Sequence, residues 1–296
     1  MSIRPQFSNQ TRGILLMIAA VFTFTVMDAI AKGLSQRLDT IQVVWARYTG
    51  QSVIVTLLIL PRLRSTLRTR YPKLQLLRAL LLLGATSFFF FAISRIGLAE
   101  ATAIMDISPV LITLGAALFL GEKFGPRRAF GVAAALIGAL IIIRPGSGVF
   151  SPAAILPLAA AVCYSGYTLA TRFVGPNESI WTSLFYTGVI GSLLLSLVVP
   201  FVWITPSPGD AGLLLAVGLV GALAQLLMIR ALSLAEASLL APFTYAGLMF
   251  ATVWGALFYG EYPDAMTWLG GFVIVVAGLY VWLRETRDDR QVQAAE

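Results

Sequence analysis

Ten apolar runs separated by short polar links constrain this chain more than anything else in it. They lie near residues 13–34, 41–60, 74–94, 98–119, 125–143, 152–172, 180–204, 211–232, 237–259 and 265–284. About 20 mostly apolar residues take a helix across ~30 Å of hydrocarbon, and lipid admits only structures that satisfy every backbone group internally. In a chain of 296 residues, 58% of them hydrophobic and 12% charged, ten such helices use nearly everything. The pattern predicts an all-α integral membrane protein of ten transmembrane helices. It leaves no length for a soluble catalytic domain, so an enzyme is not expected. The polar segment Met1 to Arg12 runs into the first apolar stretch without a small-residue cleavage site, which reads as a retained span. Links this short predict that consecutive helices lie side by side.

A net charge of +7 in a soluble protein would raise the question of nucleic acid. Here the basic residues sit in the links. With the N-terminus drawn inside the cell, fifteen Lys and Arg fall on the cytoplasmic side, including the cluster Arg62, Arg64, Arg68, Arg70 and Lys73. Four, Lys32, Arg37, Arg95 and Arg144, fall opposite, and Arg47 and Arg78 lie inside spans to complete the 21. That asymmetry predicts both termini in the cytoplasm, with lipid rather than nucleic acid as the partner. The chain has no histidine and one cysteine, Cys163, inside an apolar run. An internal disulfide is impossible, and the usual zinc and haem ligand sets are missing, so neither metal nor cofactor is expected.

The chain repeats itself. Leu118-Phe119-Leu120-Gly121-Glu122 recurs as Leu257-Phe258-Tyr259-Gly260-Glu261, and Leu98-Ala99-Glu100-Ala101 as Leu234-Ala235-Glu236-Ala237. Each match falls at the same place in its half, which divides the chain into five-helix repeats at 13–145 and 152–285. Five is odd, so the second repeat must be inverted across the membrane relative to the first. Inverted repeats are one architecture for alternating access, with the site at mid-membrane between them.

Charge inside a span costs at least ~2.5–3.5 kcal/mol and marks candidate function. Asp28 lies in the first span, Arg47 in the second and Asp106 in the fourth; Lys32 is one turn beyond Asp28, at a spacing that allows pairing. In the functional reading Asp28, Arg47 and Asp106 line a polar cavity, and Asp28 or Asp106 is the group for proton coupling. In the plainer reading Asp28 pairs with Lys32 and Arg47 neutralises Asp106. Pro109 predicts a kink after Asp106 that frees backbone carbonyls. Glu100 and Glu236 open their spans, where a carboxylate favours the helix dipole; Glu122 and Glu261 close them, where the dipole gives no help. Tyr48, Tyr164, Tyr167 and Tyr245 lie deep enough to stack on a flat cargo, whereas Trp181 and Trp203 fit an interfacial belt. No catalytic motif rises from the sequence.

Together the ten spans, the inverted halves, the Leu-Ala-Glu-Ala openings and the Leu-Phe-x-Gly-Glu closings resemble the drug/metabolite transporter superfamily in its EamA-domain form. Met27-Asp28-Ala29-Ile30-Ala31-Lys32 followed by Val44-Trp45-Ala46-Arg47-Tyr48 is similar to a branch containing bacterial riboflavin importers and S-adenosylmethionine importers. The resemblance implies a secondary transporter in the bacterial inner membrane that holds a small molecule between its halves, and it adds Lys32 and Trp45 to Asp28 and Arg47 as site residues; two repeats can form a complete pathway as a monomer. Riboflavin import is the expected function. The alternatives are export of amino acids or related metabolites, import of S-adenosylmethionine, and, from another class, a structural or signalling membrane protein.

Overall fold

The computed structural model describes residues 9–120, 126–144, 151–174, 178–235, 240 and 243–293. Among the described residues there is no strand. In chain order the main helices are α1 (Asn9–Leu34), α2 (Thr40–Ile59), α3 (Pro72–Ile93), α4 (Leu98–Met105), α5 (Ser108–Leu120), α6 (Pro126–Ile143), α7 (Ile155–Val174), α8 (Ile180–Ser196), α9 (Pro208–Leu234), α10 (Ala246–Tyr259) and α11 (Ala265–Gln293).

Caps and prolines set the helix starts. The Asp39 carboxylate accepts the Ile41 N–H at 2.8 Å before α2, and the Ser207 hydroxyl accepts the Asp210 N–H at 3.1 Å at the start of α9. Pro72 and Pro208 stand in the first turns of α3 and α9, where the missing N–H leaves no bond unmade. At its other end α10 stops on Gly260, whose φ of 61° suits glycine.

Six stretches, Asn9–Leu34, Thr40–Arg62, Pro72–Ile93, Pro152–Thr171, Ile180–Phe201 and Pro208–Ala231, are each long and apolar enough to cross a membrane. The joined pair α4 and α5, then α6, α10 and α11, supply the remaining passes. Three spans differ from expectation. The fourth is broken into two helices at Asp106 and Ile107. The seventh stops at Ser196 rather than 204, and a 3₁₀ turn at Val199–Phe201 with Pro200 inside it follows. The tenth continues to Gln293.

Consecutive helices do not lie side by side. The most extensive interfaces join opposite halves: α1 with α9, α3 with α7, α6 with α11, and α2 with α8 and α9. Exchange of the halves turns the α1–α9 interface into α7–α3 and α2–α9 into α8–α3, and it returns α2–α8 and α6–α11 to themselves. This is the two-fold relation of inverted repeats. Link length fixes only where a helix can begin; in lipid, close approach of small residues selects its partner. A Cβ at Gly50 would stand 2.6 Å from the Gly218 Cα, and one at Gly138 would stand 2.8 Å from the Gly270 carbonyl oxygen. Large apolar residues such as Phe119, Phe201 and Leu215 are turned outward, as the lipid-facing shell requires.

Candidate functional site

The break in the fourth span has a cause in the sequence. Pro109, second residue of α5, has no N–H to offer and its ring crowds the Met105 carbonyl, so α4 ends there and α5 starts afresh. Asp106 lies in the gap, half-buried, and its Oδ2 is buried with no hydrogen-bond partner. At the matching place in the second half, Tyr245 stands just before α10, within electrostatic reach of Asp106, and its hydroxyl too is buried without a partner. Room for that hydroxyl comes from Gly278 of α11, where a Cβ would lie 1.6 Å from it. Paired interruptions at corresponding positions of inverted repeats mark binding sites in transporters.

Arg47 is the strongest feature of the centre. It is 2% exposed, and its Nε and Nη1 are buried without hydrogen-bond partners. Among the described residues no carboxylate comes within the 4.0 Å of an ion pair with it. The guanidinium lies over the Tyr48 ring, 4.7 Å from its centroid, and its stem runs along Gly221 of α9. Asp28 is half-buried and near enough to feel the Arg47 charge, but it forms neither a hydrogen bond nor an ion pair among the described residues. Arg47 therefore does not neutralise Asp106 by contact, and Asp28 does not pair with Lys32. The Tyr48 ring fits against Gly191 of α8, and its hydroxyl is 3.1 Å from the Thr86 hydroxyl.

On α7, Tyr164 and Tyr167 have ring centroids 6.1 Å apart. Tyr167 is buried and accepts a hydrogen bond from Gln225 Nε2 of α9 at 3.1 Å, and the Tyr164 hydroxyl donates to the Met228 sulfur at 3.4 Å. Gln225 was open to sequence reasoning as a lone amide in an apolar span.

Two further expected site residues already have partners among the described residues. Lys32 is 3% exposed and is already bound: its Nζ meets Glu261 at 2.7 Å and donates to the Ile93 and Ile96 carbonyls, each at 2.7 Å. Helical spacing made Asp28 available to it, but Glu261 offers a carboxylate beside two free carbonyls at the end of α3. Trp45 donates to the Ser196 hydroxyl at 2.9 Å and packs edge-on against Trp203, centroids 5.8 Å apart. Half-buried against the main core, it has its indole N–H occupied and its ring paired with Trp203. Glu261 also gains the dipole help that its own helix denies it, because its Oε2 accepts the Leu98 N–H at 2.9 Å at the start of α4. Glu100 is in the first turn of α4, while Glu122 and Glu236 lie outside the described residues.

The end of the bundle that holds Lys32 is fastened between halves at four further points. Arg37 meets Asp210 at 2.8 Å, and Arg144 pairs with Asp264. Tyr259 donates to the Ala29 carbonyl, and Gln42 exchanges two hydrogen bonds with Ile204, at 2.9 and 3.0 Å.

The model of the EamA-like transporter family matches residues 11–144 and again residues 151–283. The chain belongs to this family. A family member from Pseudomonas aeruginosa, a pseudopaline exporter, is 34% identical over 90% of this chain and 94% of its own. The riboflavin transporter of Rhizobium johnstonii is 29% identical over 98% of this chain and 97% of its own. The S-adenosylmethionine uptake transporter of Rickettsia prowazekii is 23% identical over 93% and 94%. The chain is thus a multi-pass membrane transporter of the EamA type, similar to proteins named for three different cargoes.

Proposed function

We propose that this EamA-family transporter moves a small organic metabolite bearing a carboxylate, by alternating access between its two repeats, and does no chemistry on it. The single observation that supports this reading is Arg47. A guanidinium inside a span costs several kcal/mol in lipid, and one with buried N–H groups left over is paired and satisfied only when an anionic group enters. Asp28, within electrostatic reach of Arg47, is suited to an amino group or a proton, and the two charges together fit an amino acid or a relative of one. The bacterial inner membrane, cytoplasmic termini and action as a monomer belong to the same proposal, and the Lys and Arg distribution supports the orientation.

Riboflavin is the second reading. It is favoured by the Tyr164 and Tyr167 rings beside the centre and by the similarity to riboflavin transporters, but it gives Arg47 no anion to hold.

One experiment tests both. Bacteria unable to make riboflavin express the full chain or Arg47→Gln at equal levels; uptake of radiolabelled riboflavin is measured, and metabolites inside and outside the cells are profiled. A carboxylate-bearing metabolite redistributed by the parent chain and not by Arg47→Gln is the expected result. Riboflavin uptake without any such redistribution would replace the first reading with the second.

A further inference from the structure

A second arginine lies inside the bundle, and the site just described does not use it. Arg78 of α3 is 1% exposed, as are Gln75 of the same helix and Gln225 of α9. Its Nε donates to the Thr171 hydroxyl at 2.9 Å and its Nη1 to Gln75 Oε1 at 2.6 Å, and the guanidinium lies 5.3 Å from the centroid of the Tyr167 ring. No acidic side chain forms an ion pair with Arg78 among the described residues.

Two buried atoms are left over, one on Gln75, which Arg78 bonds, and one on Gln225, which bonds the hydroxyl of the same Tyr167 that Arg78 covers. Gln75 Nε2 and Gln225 Oε1 are both buried without a hydrogen-bond partner. An arginine that only braced α3 against α7 would be expected to leave its neighbours satisfied, because a buried amide with nothing to bond is costly in any interior and more so in lipid. A cation without a counter-charge, beside an unused donor and linked through Tyr167 to an unused acceptor, has the composition of a small polar site.

Its position relates it to Arg47. Arg47 is the eighth residue of α2, counted from the Lys32 end of the bundle, and Arg78 is the seventh residue of α3, counted from the opposite end. At 1.5 Å per residue each is about 10 Å from its own end, which leaves roughly 10 Å between them along the membrane normal. Tyr48 and Tyr167 link the two, since they lie within electrostatic reach of one another and each has one of the arginines over its ring. We infer that Arg78, with Gln75, Thr171 and Gln225, is a second anion station, which receives the cargo's carboxylate after Arg47 releases it. This rests on the carboxylate reading of Arg47 for the identity of the cargo, but its test needs no cargo.

The full chain in detergent, in a Cys163→Ser background, receives Thr171→Cys, a near-isosteric change beside the Arg78 Nε. The thiol is challenged with a sulfonate-bearing and with a trimethylammonium-bearing methanethiosulfonate, each rate normalised to that of free cysteine. An anion station predicts that the sulfonate reagent is favoured at least tenfold, and that adding Arg78→Gln removes the preference. Gln225→Cys repeats the measurement from the other side of the site, so that one poorly folding variant does not decide the result. Protection of both thiols from both reagents, or equal rates, would overturn the inference and leave Arg78 a structural brace. Failure of the cargo experiment alone would leave the labelling result standing, and the converse holds too.

Discussion

Lys32 and Glu261, from opposite halves of the chain, meet at 2.7 Å, and the ammonium is 3% exposed. This pair, with the two carbonyls that Lys32 also engages, joins α1 to the α10–α11 connection and to the end of α3. Loss of one partner from a buried pair costs ~3–5 kcal/mol; with the Glu261 side chain 29% exposed, about 2–3 kcal/mol is expected. Lys32→Met should melt well below the parent in detergent, and Lys32→Met with Glu261→Gln should regain part of the loss. Equal melting of the two variants would mean that the pair itself adds nothing.

Arg47 should behave in the opposite sense. Its charge is buried and unpaired, so Arg47→Gln removes a cost of ~2.5–3.5 kcal/mol on insertion scales, part of which Asp28 offsets. The variant is expected to melt at or above the parent temperature while transport falls to background. A site that gains stability when its key residue is removed is one built for something absent from the resting protein. A large drop in melting temperature would instead make Arg47 structural.

Gly278 leaves room for Tyr245. Gly278→Ala would put a methyl 1.6 Å from the Tyr245 hydroxyl and 2.7 Å from its Cζ, and overpacking of this kind costs ~1–3 kcal/mol. Reduced transport and a lower melting temperature are expected, with partial recovery in Gly278→Ala/Tyr245→Phe. The phenyl ring that remains still crowds the new methyl, so recovery will be incomplete.

Arg144 and Asp264 give a pH-dependent term outside the spans. The hydrogen bond from Arg144 holds the Asp264 carboxyl down from 3.8 to about 2. A depressed carboxylate adds stability that is fully present above its unfolded value and is lost as pH falls through the folded one. The melting-temperature gap between the parent and Asp264→Asn should therefore be constant from neutral pH to about 5 and close between about 4 and 2. Because Asp264 is half exposed the gap will be small, and a gap independent of pH down to 2 would contradict this account.

Much of the fold was legible because lipid leaves the backbone so few options. Run length gave the spans, and the odd number in each repeat gave the inversion. Pro109 announced the interruption beside Asp106. What the sequence does not encode locally is which helix faces which. Lys32 stands one turn from Asp28, yet its partner is Glu261, brought to it by a contact between halves that no spacing along α1 reveals. Trp45 sits two residues from Arg47 in sequence, but that step on a helix turns it well away, toward Trp203. Arg78 and Gln225 were visible as polar residues in apolar runs, but only the packing of the helices brings both to Tyr167.

The preference of each helix for the other half has a consequence for biosynthesis. At ribosomal rates of ~5–20 residues per second, the second repeat takes roughly 7–30 s to follow the first. During that interval the nascent chain rests in the bilayer with Lys32 lacking its counter-ion, α4 lacking the Glu261 cap, and the Gly50 face of α2 open to lipid. The newborn half is thus exposed to membrane proteases and insertion chaperones until its counterpart arrives, and a truncation after the first repeat should be cleared from the cell rather than accumulate as a five-helix remnant.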